Sequence, residues 1–172
     1  KRGFPVRSAV ISRFENGEIL ETDYSNLEFV MAGELSRDPQ IIKDVLEGKD
    51  LHKQTASIIY QCDQKQVTKD QRQNSKKFSF SPIYGGVGGG EEPHIRNYFK
   101  EFFSIYKGLG AYHKKLTDGV MKDGHITTFS GRQFYWPNET RRRNGRTKHY
   151  TQQVNYPCLL YTSDAADEVD RG

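Results

Sequence analysis

The sequence predicts an α+β fold that is mostly helical. Three observations predict it. Apolar residues recur at helical spacing in several segments bounded by capping residues. A short run around Ile19 and Leu20 has strand character. Two further short runs flank Ser130-Gly131-Arg132, a combination suited to a hairpin turn.

The elements follow in order. Glu18 to Asp23 is expected to be a strand, with Gly17 before it. Leu27, Val30, Met31 and Leu35 then fall on one helical stripe. Asp38-Pro39 supplies an N-cap followed by proline at the first helical position, and Gly48 closes that helix. Asp50 caps the next helix, which carries Ala56, Ile59 and Tyr60 on one side. A polar helix is expected from about Thr68 to Tyr84, an aromatic one from Pro93 to Tyr106, and another from Leu109 to Met121. His125 to Phe129 and Gln133 to Trp136 form the hairpin arms, and Arg141 to Arg146 a basic loop. No internal repeat is present.

Composition narrows the function classes. Only 34% of the 172 residues are hydrophobic while 28% are charged, which gives a thin core for this length. The net charge is +4, but residues 158–172 carry −3 and residues 1–157 carry +7. A basic body suits a polyanionic partner. Two cysteines, Cys62 and Cys158, make no disulfide framework, and the chain reads as intracellular. No apolar run is long enough to span a membrane, no signal peptide is evident, and the chain starts at Lys1, as a piece of something longer would.

The segment "QRQNSKKFSFSPIYGG" is the most informative. Arg72, Lys76, Phe80 and Tyr84 are four apart, so each step drifts only about 40° around a helix and the row shares a face about 18 Å long. Two cations followed by two aromatics suit a nucleoside triphosphate, with phosphates on the cations and base and sugar on the rings. An amphipathic helix with a solvated charged end and a packed aromatic end fits the same four residues equally well. Pro82 lies inside the row and disturbs its last turn. Asp23, in "TDYSNLEF", reads by itself as a turn or cap residue, and Glu28 as a surface carboxylate.

Five motifs in order carry a resemblance. Arg-x3-Lys-x3-Phe-x3-Tyr-Gly resembles the motif B helix of family A DNA polymerases, and "DYSNLE" resembles their motif A. "GKDLHKQTA" is similar to the segment between those motifs, "TTFSGRQFYWP" to a later T-x-x-G-R hairpin, and "VNYP" to the entry of the helix beyond. The match runs from about Val6 to Pro157. Ser12-Arg13-Phe14 and Ser81-Pro82 look more like bacteriophage members.

The resemblance implies a right-hand polymerase fold. Residues 1–37 would be a partial palm with motif A, residues 38–148 the helical fingers with motif B, and residues 149–157 the start of the helix returning to the palm. It implies that Asp23 is catalytic and that Asp23 and the Tyr24 carbonyl are ligands of two Mg²⁺ ions, which would serve transfer of a deoxynucleotide to a primer 3′-hydroxyl. It also implies that Arg72 and Lys76 hold the triphosphate, that Phe80 and Tyr84 shape the nucleotide pocket, and that Glu28 excludes a 2′-hydroxyl. Primer-template DNA and deoxynucleoside triphosphates are the expected partners, with no membrane. A processivity factor is not assignable. The expected compartment is the cytoplasm, that of a bacterial host if the chain is phage-encoded.

Other segments weigh less. "GGVGGG" at 85–90 lacks a Gly-Lys-Ser/Thr ending and is expected to be a flexible loop. The five histidines show no metal spacing, and His52 is expected to pack or cap. Arg132, Arg141, Arg142, Arg143 and Arg146 are candidates for DNA phosphate, with a solvated loop as the alternative. After Pro157 the chain departs from the family pattern. The string Cys158 to Glu168 resembles a translated sequencing adapter, so residues 158–172 are expected to be a non-native tail. Motif C, the family's His-Asp-Glu hairpin, does not occur in the 172 residues, so the isolated fragment is expected to be inactive. Two other readings stay open. One is a fragment of a single-subunit phage-type RNA polymerase, against which Glu28 and Phe80 argue. The other is a non-catalytic nucleic-acid-binding module.

Overall fold

In the computed structural model, which describes residues 10–20, 26–90 and 92–162 (the last three by backbone alone), seven α-helices surround an aromatic core and one hairpin. The helices are α1 (Leu27–Ser36), α2 (Pro39–Leu46), α3 (Leu51–Tyr60), α4 (Lys69–Phe80), α5 (Pro93–Ile105), α6 (Lys107–Asp123) and α7 (Tyr150–Thr162). Strands β1 (His125–Thr127) and β2 (Gln133–Tyr135) pair antiparallel between α6 and α7, with Ile126 opposite Phe134.

Local chemistry sets the helix starts. Asp38 Oδ1 accepts the amides of Gln40 and Ile41 at the head of α2, and Pro39 takes the position where no amide is required. The other oxygen of Asp38 accepts the amides of Gly108 at 2.6 Å and Leu109 at 3.2 Å, at the head of α6. Asp50 Oδ1 caps α3 through the Lys53 amide. Thr68 and Gln71 form a reciprocal capping box on α4. Gly48, at a φ of 65°, closes α2, and Gly124, at 72°, closes α6; both are in the left-handed region.

The main core gathers Phe29, Ile41, Leu51, Tyr98, Phe102 and Tyr106 from four helices and the junction of α5 with α6. Its rings meet edge to face, with Phe102 4.7 Å from Tyr106 and Phe29 5.6 Å from it. Two phenols reach polar partners inside it. Tyr106 donates to Asp44 Oδ2 at 2.8 Å, and the Tyr98 hydroxyl lies 3.3 Å from the Phe78 carbonyl and 3.2 Å from Thr55 Oγ1. A second cluster, Val120, Ile126 and Trp136, holds the hairpin against α6, and Tyr156 of α7 packs on Trp136.

Several sequence expectations need correction. Residues 18–20 form no strand: no partner strand lies beside them among the described residues, and Leu20 is 88% exposed. Residues 21–25 lie outside the described residues. The first helix is present, but it buries Phe29, Ala32 and Gly33 rather than the Leu27–Leu35 stripe. Gly33 permits that choice, since a Cβ there would meet Ile41 Cγ2 at 2.8 Å. Tyr60 is exposed while Ala56 and Ile59 are buried. The polar helix ends at Phe80, before Pro82, although the Tyr84 amide still donates to the Phe80 carbonyl at 3.2 Å. Finally, α7 runs through Pro157 to Thr162, and Cys158 is only 1% exposed, so the expected tail begins inside a helix with a buried side chain. Among the described residues no helix is long and apolar enough to cross a membrane.

Candidate functional site

The row on α4 borders the seam with α3. Ser75 and Ser79 are the fully buried residues of α4, which packs against α3. Arg72, Lys76 and Phe80 lie half-buried on the same helix, and Arg72 and Phe80 meet the start of α3. Arg72 Nε donates to Asp50 Oδ2 at 2.7 Å. The Phe80 ring stands edge-on to His52, with centroids 4.9 Å apart.

His52 is the hub of this arrangement. It is 6% exposed, and its Nδ1 has no hydrogen-bond partner. Burial is the main cause holding its pKa below the ordinary histidine value. The charges of Arg72 and Lys76 act in the same sense, while Asp50 and Glu28 oppose them. The imidazole therefore senses Glu28 of α1 and both cations of α4. Of the sequence-predicted residues, Phe80 touches the ring, while Arg72, Lys76 and Glu28 act on it only through their charges. His52 packs, as expected, but the cap of α3 is Asp50. Burial alone would raise the Asp50 pKa. The Arg72 hydrogen bond, the Lys53 amide and the Arg72 charge outweigh it and hold the carboxyl below the ordinary aspartate range.

Tyr84 lies beyond the end of α4. With the Asn155 amide turned to donate, its nitrogen reaches the Tyr84 carbonyl at 2.7 Å, tying the end of the row to α7. Gly85, at a φ of 83°, packs so closely against Val154 of α7 that a Cβ would lie 2.5 Å from Val154 Cγ2. The glycine run therefore begins as a packed turn.

The basic loop is folded on itself. Arg141 pairs with Asp118 at 2.5 Å and donates to the Gly145 carbonyl at 2.8 Å. Arg142 donates to the Lys148 carbonyl at 2.9 Å, and the Arg146 guanidinium lies 4.2 Å from the centroid of the Tyr150 ring. Arg132 and Arg143 are exposed. Sequence reasoning missed the group that organises this loop. The Glu139 carboxylate accepts the amides of Thr140, Lys148 and His149, the His149 ring and, at 2.6 Å, Gln153 Nε2. Its partners reach 14 residues along the chain, and no local pattern marks them.

Asp23 and Tyr24 lie outside the described residues, so the expected metal ligands have no geometry here. Among the described residues no group of three or more His, Cys, Asp or Glu side chains is placed to hold a metal. The Mg²⁺ expectation rests on those two positions alone.

The DNA polymerase family A model matches residues 1–167. The chain belongs to DNA polymerase family A. DNA polymerase I of Pseudomonas aeruginosa is 26% identical over 179 residues, covering 95% of this chain and 20% of that protein. Mouse DNA polymerase theta is 31% identical over 147 residues, covering 79% of this chain and 6% of that one. Among solved structures, the POL domain of Pol1 from M. smegmatis, in complex with DNA primer-template and dNTP, aligns with a TM-score of 0.64 at 27% identity. The alignment covers 80% of this chain and 26% of that domain's chain. This family A chain thus spans about a fifth of the length of the bacterial relatives it matches. Its mostly helical fold with one small two-stranded sheet agrees with that polymerase domain. The family match also continues ten residues past Pro157.

Proposed function

We propose that this family A chain carries the deoxynucleotide-handling face of a template-dependent DNA-directed DNA polymerase. The observation that carries the reading is the line of Arg72, Lys76 and Phe80 along α4, with Arg72 held by Asp50 and Phe80 set against His52. Triphosphate lies against Arg72 and Lys76, where charge-assisted hydrogen bonds are strong. Base and sugar lie against Phe80 and Tyr84, and Glu28 fills the space a 2′-hydroxyl would need. Asp23 and the Tyr24 carbonyl are assigned to Mg²⁺, which when bound supplies charge neutralisation at the phosphates. Primer-template DNA runs past the basic loop, with Arg132 and Arg143 exposed to it. The neighbouring structure with primer-template and dNTP supports both partners.

Titration of the 172-residue chain with dATP tests the reading. Lys76→Ala and Arg72→Ala should each weaken binding by about tenfold, the scale of one charge-assisted contact, with DNA binding retained. A chain that binds DNA but no nucleotide would instead be a non-catalytic nucleic-acid-binding module.

Two finer readings go with the proposal. Ser12-Arg13-Phe14 and Ser81-Pro82 support a bacteriophage-like origin, with the bacterial cytoplasm as working compartment. The Cys158 to Glu168 string supports an adapter-derived tail, which sequencing the source DNA across codon 157 would test.

A further inference from the structure

We infer that Asp50 is a positioning residue for Arg72: it holds the guanidinium by its Nε edge and so presents the Nη edge to a phosphate chain. The inference rests on the reading that Arg72 meets phosphate, and it names the residue that makes Arg72 ready to do so.

The two oxygens of Asp50 have separate tasks. Oδ1 accepts the Lys53 amide at 3.0 Å and caps α3. Oδ2 accepts from Arg72 Nε at 2.7 Å, across 22 residues of chain. Capping does not require a charge, since serine and asparagine cap about as well as aspartate. Arginine offers five N–H groups in a planar fork, and this contact uses one of them. Among the described residues no second partner is recorded for the guanidinium, so its Nη hydrogens remain available. Both side chains are 38% exposed, so an anion can reach the pair from solvent.

Two effects compete at such a site. The negative charge of Asp50 repels a phosphate. The Nε contact also fixes a long side chain that would otherwise lose its rotamer freedom on binding. The Nε and Nη edges point in different directions, so carboxylate and phosphate do not contend for the same hydrogens. An ion pair this exposed adds little to stability, so its effect falls on orientation. The sign of the binding change separates the two effects: repulsion predicts tighter binding when Asp50 is neutralised, and positioning predicts weaker binding.

The test titrates the 172-residue chain with inorganic tripolyphosphate and with dATP by calorimetry, alongside thermal unfolding. Asp50→Ser keeps a capping oxygen but cannot hold Arg72. Asp50→Asn keeps the shape without the charge, and serves if the serine variant folds poorly. With an unchanged unfolding midpoint, Asp50→Ser should weaken tripolyphosphate binding about fivefold, the scale of ordering one long side chain. Asp50→Asn should fall between it and the wild type. In an Arg72→Ala background, Asp50→Ser should change nothing further, which a purely structural role would not produce. Equal or tighter binding by Asp50→Ser, or full additivity with Arg72→Ala, overturns this inference alone. A wild-type chain that binds no tripolyphosphate overturns the nucleotide-handling reading and this inference with it.

Discussion

Asp38 Oδ2 accepts the backbone amide of Gly108 at 2.6 Å, across 70 residues of chain. Its other oxygen caps α2, so one carboxylate, 1% exposed, closes the orphan donors of two helices. Glycine is required at 108 by the closeness of the approach: a Cβ there would sit 2.8 Å from Asp38 Cα.

Asp38→Ala should therefore cost more than one cap. A lost cap is worth about 1 kcal/mol, and buried amides left unpaired add about 1–3 kcal/mol. A total near 3 kcal/mol is expected in urea unfolding, and Gly108→Ala should lose about 2 kcal/mol through the backbone clash. A loss below about 1 kcal/mol for Asp38→Ala would show that the shared cap matters little.

Glu139 should make the loop acid-sensitive. Burial opposes its charge, but the Thr140 amide, the His149 ring and the Lys148 and His149 amides hold its pKa below the ordinary glutamate value of 4.5. A depressed carboxylate contributes stability that is complete above 4.5 and lost as pH falls through the folded value. Glu139→Gln should lose about 1–3 kcal/mol at neutral pH and respond less to acid below pH 4.5. Denaturant unfolding at a series of pH values reads both effects, and identical pH curves for the two proteins would refute them.

His113 should govern a higher pH window. Burial pushes its pKa down to about 4, Arg146 adds to the effect, and the Ile83 backbone counters only part of it. That backbone does not meet hydrogen-bond geometry with the ring, because both ring nitrogens are unpartnered. The folded state keeps the ring neutral while the unfolded chain protonates below 6.5, so stability falls as pH drops from 6.5 towards 4. Between pH 6.5 and 5 the loss should be about 2 kcal/mol. His113→Leu should flatten that slope and be no less stable at pH 7. A leucine variant with the wild-type slope would assign the effect elsewhere.

The sugar pocket is testable in a full-length family A polymerase carrying this segment. Glu28→Ala should raise ribonucleotide insertion relative to deoxynucleotide. Phe80→Tyr should raise dideoxynucleotide use more than about tenfold, or about 1.4 kcal/mol in transition-state binding. The kcat/KM ratio for each nucleotide pair is the readout. Unchanged ratios would remove both residues from the pocket.

Features with local causes were legible in the sequence. Asp38 and Asp50 sit within three residues of the amides they accept at the heads of α2 and α3, and the hairpin turn is carried by three adjacent letters. The row was legible from Arg72 to Phe80 because helical spacing is a one-dimensional signal, while Tyr84 falls past the end of the helix. Features with distant causes were not. The buried face of α1 is chosen by Ile41 and Tyr106, and Glu139 by partners along the next loop. Arg141 and Arg142 read as free cations because Asp118 and the Lys148 carbonyl are invisible in their own segment. The contact of His52 with Phe80 exists only once α3 and α4 are packed together.

The end of α4 carries a last consequence. In a continuous helix the Phe78 carbonyl would accept from the residue four positions on, which is Pro82 and has no hydrogen to give. The Tyr98 hydroxyl, from α5, occupies that vacancy at 3.3 Å. A defect written into the backbone of one helix is thus repaired by the side chain of another. The final turn of α4, which carries Phe80, therefore has one of its carbonyls satisfied by α5. The aromatic end of the row thus depends on tertiary packing for its last carbonyl, while the head of the helix is satisfied by its own capping box.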